Sequence, residues 1–325
     1  MVNNITKGVK TMVNKSQQVL EEMNKVIVGK EPVIEKIWMA ILAQGHILLE
    51  DIPGVGKTTL AIALSKVLGL DSKRIQFTPD VVASDVVGFT MYDKQSGKFI
   101  YKEGAVMCNL LLGDEINRTS SRTQAALLEA MQEGNVTVDS ITYELPKPFH
   151  VIATQNPMGI HGTQALPQAQ LDRFLVKLSI GYPDFESQVD LLRQRQVNNP
   201  IHEVGTVIDK AQLVELQSHV KTLHMSDEIL RYVTALTEET RKSDLLLQGI
   251  SPRGALAICN MAKAHAFVRG NDFVTPEDVI AVFVDTCHHR IILSAQAKTA
   301  HLNADEVLLK IINRVATPDT HVYQS

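Results

Sequence analysis

Residues 46–68 read HILLEDIPGVGKTTLAIALSKVL, and the order of features in this stretch decides the architecture. His46 to Glu50 form a short apolar run of the kind that makes a buried strand. Asp51 to Gly56 form a Gly/Pro loop, and Lys57 to Leu68 carry apolar residues at helical spacing. A strand, a glycine loop and a helix in that order open a parallel α/β sheet. Gly54 and Gly56 let the loop curl so that backbone N–H groups face a phosphate, while Lys57 brings a point charge to the β- and γ-phosphates. Thr58 offers a hydroxyl to Mg²⁺, and the positive end of the helix adds to the attraction for an anion. The expected nucleotide-contacting set is therefore Pro53, Gly54, Val55, Gly56, Lys57, Thr58 and Thr59. One position departs from the usual G-x-x-x-x-G-K-[ST] pattern, because Asp51 stands where the first glycine would be.

Working outward, NLLLGDEIN at 109–117 places Asp114 and Glu115 directly after a second apolar strand. The carboxyl ends of parallel strands are where ligands sit in open α/β sheets. Asp114 there can hold Mg²⁺ and Glu115 can orient and deprotonate a water. A lysine, a magnesium ion and a water-orienting acid are a sufficient minimum for phosphoryl transfer from ATP.

Upstream, PVIEKIWMAILA at 33–44 has helical periodicity, and the first 25 residues read as an amphipathic helix. Further strands are expected at 75–77, 110–113, 149–154 and 174–180, with helices near 80–86, 119–133 and 185–197. Residues 89–103 and 136–148 read as β-hairpins, turning at Ser96–Gly97 and at Asp139–Ser140. Beyond about residue 200 the strand signal stops. Helices are expected over 209–222, 226–243, 252–268, 276–293 and 304–315, with Asp209, Ser226, Ser251, Thr275 and Asn303 as N-caps. The map is an N-terminal helix at 1–25, a P-loop α/β nucleotide-binding core at 26–197 and an all-helical lid at 206–325.

Composition narrows the function. The apolar fraction is 45% and the formal net charge −4; the chain lacks long Lys/Arg blocks, which argues against an obligate nucleic-acid binder. No stretch approaches the roughly 18 apolar residues of a membrane span. Cys108, Cys259 and Cys287 are few and widely spaced, which points to buried thiols in a reducing compartment, the cytoplasm.

The motifs in order resemble the AAA+ ATPases and, within them, the MoxR family, over nearly the whole chain from about Val26 to about Val315. DIPGVGKTT resembles the family's Walker A and LLLGDEINR its Walker B. FHVIATQNP at 149–157 resembles the strand bearing sensor 1, which implies that Asn156 contacts the γ-phosphate or the attacking water. LPQAQLDRF at 166–174 resembles the arginine-finger segment, implying Arg173, and SPRGAL at 251–256 resembles sensor 2, implying Arg253. VIVGKE at 26–31 resembles the segment beside the adenine, which implies that Val28 contacts the base. The two hairpins correspond to the helix-2 insert and the hairpin before sensor 1, features of the clade that also holds magnesium chelatase and the minichromosome maintenance helicases.

The resemblance implies a homo-oligomer, a hexameric ring, that remodels protein clients, often ones with a von Willebrand factor A domain. A nucleic-acid-stimulated motor, a metal-chelatase-type subunit and a nucleotide-gated assembly module are the competing functions. Asp139 and Glu144 in the second hairpin argue against a tip that tracks phosphates. Arg118 and Arg122 read either as subunit-interface residues or as solvated surface charges.

Overall fold

A computed structural model describes residues 2–52, 54–156, 165–197 and 200–318; Pro53 lies outside them. The chain begins with α1 (Val2–Asn24) and α2 (Glu31–Leu42), followed by β1 (Ile47–Glu50) and α3 (Lys57–Val67). Next come β2 (Ser72–Gln76), α4 (Ala83–Val87), the hairpin β3 (Gly88–Asp93) and β4 (Lys98–Glu103), β5 (Leu110–Asp114) and α5 (Ser121–Glu133). The hairpin β6 (Asn135–Val138) and β7 (Ile141–Glu144) leads to β8 (His150–Gln155), α6 (Gln168–Leu171), β9 (Val176–Leu178) and α7 (Phe185–Val197).

Five of these strands form one parallel sheet in the order β2-β5-β8-β1-β9. Successive strand residues face opposite sides, and both sides are filled. Ile47 and Leu49 join one apolar cluster with Leu110, Leu112 and Ile152, and Leu48 joins another with Leu111, Val151 and Ala153. Strands buried on both faces read as continuous apolar runs, which is why β1, β5 and β8 are plain in the sequence. The edge strand β2 is polar and largely exposed, as an edge must be to resist pairing with another chain.

Both hairpins form where expected. Asp139 and Ser140 take φ of 49° and 66°, the double positive-φ geometry of a tight two-residue turn. Tyr101 of the first hairpin stacks on Tyr143 of the second, with ring centroids 4.0 Å apart.

The lid comprises α8 (Lys210–Thr222), α9 (Asp227–Lys242), β10 (Leu246–Gln248), α10 (Pro252–Val268), α11 (Pro276–Cys287), β11 (Ile292–Leu293), α12 (Ala295–Thr299) and α13 (Ala304–Arg314). All five anticipated caps sit at helix starts; Ser251, for example, accepts from the Gly254 N–H at 3.1 Å. The helix expected over 276–293 stops at Cys287. There His289 and Arg290 turn inward to the carbonyls of Phe174 and Leu175, and Ile292–Leu293 pairs with β10 in a short ribbon.

The lid is continuous with the core. Ile258, Phe283 and Leu308 belong to the same apolar cluster as Leu49 of the sheet and Trp38 of α2. The N-terminal helix joins it too, with Val19 and Met23 buried and Ser16 accepting a hydrogen bond from Trp38 Nε1 at 2.7 Å.

Candidate active site

The loop between β1 and α3 turns on two left-handed glycines, Gly54 at φ 90° and Gly56 at φ 94°. A Cβ on either would meet open space, so the requirement is conformational. Lys57 opens α3 and folds back along the loop, donating from Nζ to the Asp51 carbonyl at 2.8 Å and to the Ile52 carbonyl at 3.3 Å. Burial holds its ammonium below the usual lysine value, against the pull of Asp51, Asp114 and Glu115.

The unusual Asp51 is buried. Its Oδ2 accepts the backbone N–H of Ile180 at 2.6 Å and of Gly181 at 2.8 Å, and the Ser179 hydroxyl at 3.2 Å. The residue that replaces the first glycine thus ties the start of the phosphate loop to the segment leaving β9.

Asp114 and Glu115 lie at the carboxyl end of the fully buried β5. Asp114 accepts the Thr154 hydroxyl at Oδ1 at 2.6 Å and the Arg74 guanidinium at Oδ2 at 2.9 Å. Glu115 has φ 57°, a left-handed conformation costing a non-glycine residue about 1–2 kcal/mol. Its N–H is held by Thr154 Oγ1 at 2.8 Å. Its carboxylate accepts Asn156 Nδ2 at 2.7 Å on one oxygen, and Gln76 Nε2 at 2.9 Å and Arg118 Nη1 at 2.8 Å on the other. Burial raises the Glu115 pKa, but the Arg118 and Asn156 hydrogen bonds and the Arg118 charge outweigh it, leaving the carboxyl below its ordinary value.

One cleft gathers these groups, lined by Gly54, Gly56, Lys57, Thr58, Thr59, Gln76, Asp114, Glu115 and Asn156. It lies at the carboxyl ends of β1, β2, β5 and β8, the crevice position for a ligand in an open parallel sheet. Val28, Arg173 and Arg253 are not among the residues lining it. Arg173 lies between α6 and β9, and Arg253 is exposed in the first turn of α10. Arg118 pairs with Glu115 three residues before it, and Arg122 is exposed.

Among the described residues, no cluster of three or more His, Cys, Asp or Glu side chains could hold a metal by itself. Thr58 and Asp114 do provide two hard oxygen donors in the cleft. That suits Mg²⁺, which keeps several waters and takes the remainder of its shell from phosphate oxygens.

Arg74, Gln76 and Thr154 were not anticipated from the sequence. The available signal was the polar run Lys73-Arg74-Ile75-Gln76 ending a strand, and a threonine two residues before Asn156 inside an apolar strand.

Comparison with known proteins agrees with this fold. Residues 46–176 match the ATPase family associated with various cellular activities, and residues 238–311 match the AAA lid domain. An uncharacterized protein of Bacillus subtilis, YeaC, is 44% identical over 92% of this chain and 93% of its own. The chaperone MoxR1 of Mycobacterium tuberculosis is 35% identical over 97% of this chain and 85% of its own. A crystal structure of a provisionally assigned ATPase from Cytophaga hutchinsonii superposes with a TM-score of 0.91 at 35% identity, covering 98% of this chain and 99% of that one. With its phosphate loop, its acidic pair and its lid in place, the chain belongs to the MoxR family of AAA+ ATPases.

Proposed function

We propose that this ATPase works with Mg²⁺ as an oligomeric ring, a hexamer, that remodels protein clients in the cytoplasm. The observation that carries the reading is the convergence of Lys57, Thr58, Asp114, Glu115 and Asn156 on one cleft, while Arg173 and Arg253 stand away from it.

ATP would lie with its phosphates along the loop from Gly54 to Thr59, with Lys57 beside the β- and γ-phosphates and Val28 toward the adenine. Mg²⁺, held through Thr58 and Asp114, supplies charge neutralisation on the phosphate oxygens. Glu115 and Asn156 position a water in line with the γ-phosphorus. As the water oxygen bonds to phosphorus, Glu115 takes its proton and the bond to the β–γ bridging oxygen breaks, giving ADP and phosphate. Glu115 is ionised at neutral pH, as a base must be, and frees itself for the water by releasing Arg118 or Gln76. Arg173 and Arg253 would come from the adjacent subunit to stabilise the transferring phosphoryl group, a role in which an arginine is worth about 10³–10⁵ in rate.

The similarity to a chaperone supports a protein client, and a partner with a von Willebrand factor A domain is the class to try first. Cys108 and Cys287 are buried free thiols, which suits a reducing compartment. Among the described residues no helix is long and apolar enough to cross a membrane.

The test is Mg²⁺-dependent ATP hydrolysis by Glu115→Gln, by Arg173→Ala and by their mixture. Each variant alone should be nearly silent. The mixture should recover activity, because an intact Glu115 site then receives an intact Arg173 from its neighbour. A silent mixture of variants that still co-assemble would refute the shared site.

A further inference from the structure

Arg290 is an arginine that neither the cleft nor the family motifs account for, and it is 3% exposed. It follows α11 in the lid, yet most of its guanidinium bonds cross the lid–core boundary. Nε donates to Asp172 Oδ1 at 2.8 Å, Nη2 to the Phe174 carbonyl at 2.6 Å and Nη1 to the Leu175 carbonyl at 3.0 Å. The same side chain binds the carbonyls of Thr286 and Asp172 and meets His289 Nε2 at 2.8 Å. It therefore grips the residues on both sides of Arg173.

The second half of the arrangement runs to Arg253. The other oxygen of Asp172 accepts the Ser251 hydroxyl at 3.0 Å, and Ser251 is the N-cap of the helix that carries Arg253 in its first turn. Gly254, next to Arg253, leaves room for the Arg290 stem: a Cβ there would lie 3.0 Å from Arg290 Cδ and 2.6 Å from Ile250 Cγ2. The neighbours of both arginines thus converge on one ion pair. A guanidinium suits this post, because its rigid fork of five donors can hold a carboxylate and several carbonyls at once, which an ammonium cannot.

We propose that Arg290, through Asp172 and Ser251, is a positioning residue that fixes Arg173 and Arg253 relative to each other, so that a subunit presents both to its neighbour's nucleotide as one rigid unit. This rests on the reading that the two arginines act across a subunit boundary. Its consequence is that a rotation of the lid carries the finger with it.

The test uses Asp172→Asn, which keeps the side chain's size but removes the charge, and Gly254→Ala, which crowds Ile250 and Arg290 without removing any polar group. For each, kcat, KM for ATP and thermal stability are measured alone and after mixing with Glu115→Gln. Folded variants should lose about tenfold to a hundredfold in kcat, the scale set by displacing a catalytic group by about an ångström, with KM for ATP unchanged. Mixing should restore part of the rate, because Glu115→Gln subunits supply well-placed arginines to the variants' intact sites. Unchanged kcat would overturn the inference. So would a loss that mixing does not restore, provided Arg173→Ala is restored by the same partner. If Arg173→Ala is not restored either, the shared-site reading fails and takes this inference with it. If neither variant folds, the cluster is a structural staple and nothing more.

Discussion

The Arg74 guanidinium lies 2.9 Å from Asp114 Oδ2, the carboxylate oxygen that turns away from Thr154. Asp114 thus has both oxygens occupied before any ligand arrives, one by a buried hydroxyl and one by a half-exposed arginine. The hydroxyl is the fixed partner and the arginine the exchangeable one, because a half-exposed ion pair is worth little against water. Arg74→Ala should leave stability within about 0.5 kcal/mol of wild type. It should lower the Mg²⁺ concentration needed for half-maximal ATP hydrolysis, read from a titration at saturating ATP. A higher Mg²⁺ requirement would mean that Arg74 serves the loaded site.

Asp51 gives a sharper expectation. Replacing it with the glycine of the general phosphate-loop pattern orphans three backbone N–H groups, at Ile180, Gly181 and Ile52. Asp51→Gly should cost about 2–6 kcal/mol from the Ile180 and Gly181 donors alone, since leaving a buried donor without a partner costs about 1–3 kcal/mol. Urea unfolding measures it, and a loss below about 1 kcal/mol would show that the carboxylate is dispensable.

In the proposed mechanism, Arg118 sets the acid limb of the rate profile. Its hydrogen bond and charge hold the Glu115 carboxyl below its ordinary value against burial, which acts the other way. Removing it by Arg118→Ala leaves burial less opposed, so the Glu115 pKa rises. The base must be ionised to act, so the fall in kcat on acidification should begin at a higher pH in the variant. A pH profile of kcat at saturating ATP decides the matter; an unmoved limb would assign it to another group.

Two histidines, the buried His150 and the half-buried His46, make the fold sensitive to acid. Burial first, and for His46 also the nearby His150, pushes each down to about 4 from the ordinary histidine value of 6.5. Both nitrogens of each ring are paired: His46 accepts the Val151 N–H at 3.0 Å and meets the Met131 carbonyl at 3.0 Å, and His150 meets the Gly45 carbonyl at 3.0 Å and Gln217 at 2.9 Å. The folded state binds these protons less readily than the unfolded chain. The stability they confer is therefore whole above about pH 6.5 and lost as pH falls toward about 4, at most roughly 3 kcal/mol for each. Unfolding free energy measured from pH 7 to pH 4.5 should decline along this slope, and His150→Gln should flatten it.

Ser16→Ala tests whether the N-terminal helix is integral. It leaves the indole N–H of the buried Trp38 without its partner, at a cost of about 1–3 kcal/mol. A melting temperature equal to wild type would show that this hydrogen bond adds nothing to the anchoring of α1.

How much of this was legible beforehand follows from how each signal is encoded. Lys57, Thr58, Asp114, Glu115 and Asn156 stand beside apolar strands that announce themselves, and the structure brings all five to one cleft. Gln76 and Thr154 reach the acidic pair only because Gln76 lies opposite Asp114 and Gly113 opposite Ala153, a register that arises when strands pair. Ser251 and Asn303 were readable as caps because a cap is local. The ribbon of β10 and β11 was not, since strands of two or three residues exist only through their partner. Arg290 had no signature at all: a charged residue at the end of an apolar helix looks like a solvated one until the chain folds it inward.

The apolar cluster that runs without a break from α1 through the sheet into the lid has a practical meaning for anyone dissecting this molecule. A fragment cut near residue 200 would bare the face of α2 that α8 and α10 now cover, and would aggregate rather than behave as a minimal nucleotide binder. Limited digestion should accordingly trim the chain at its ends long before it yields two halves.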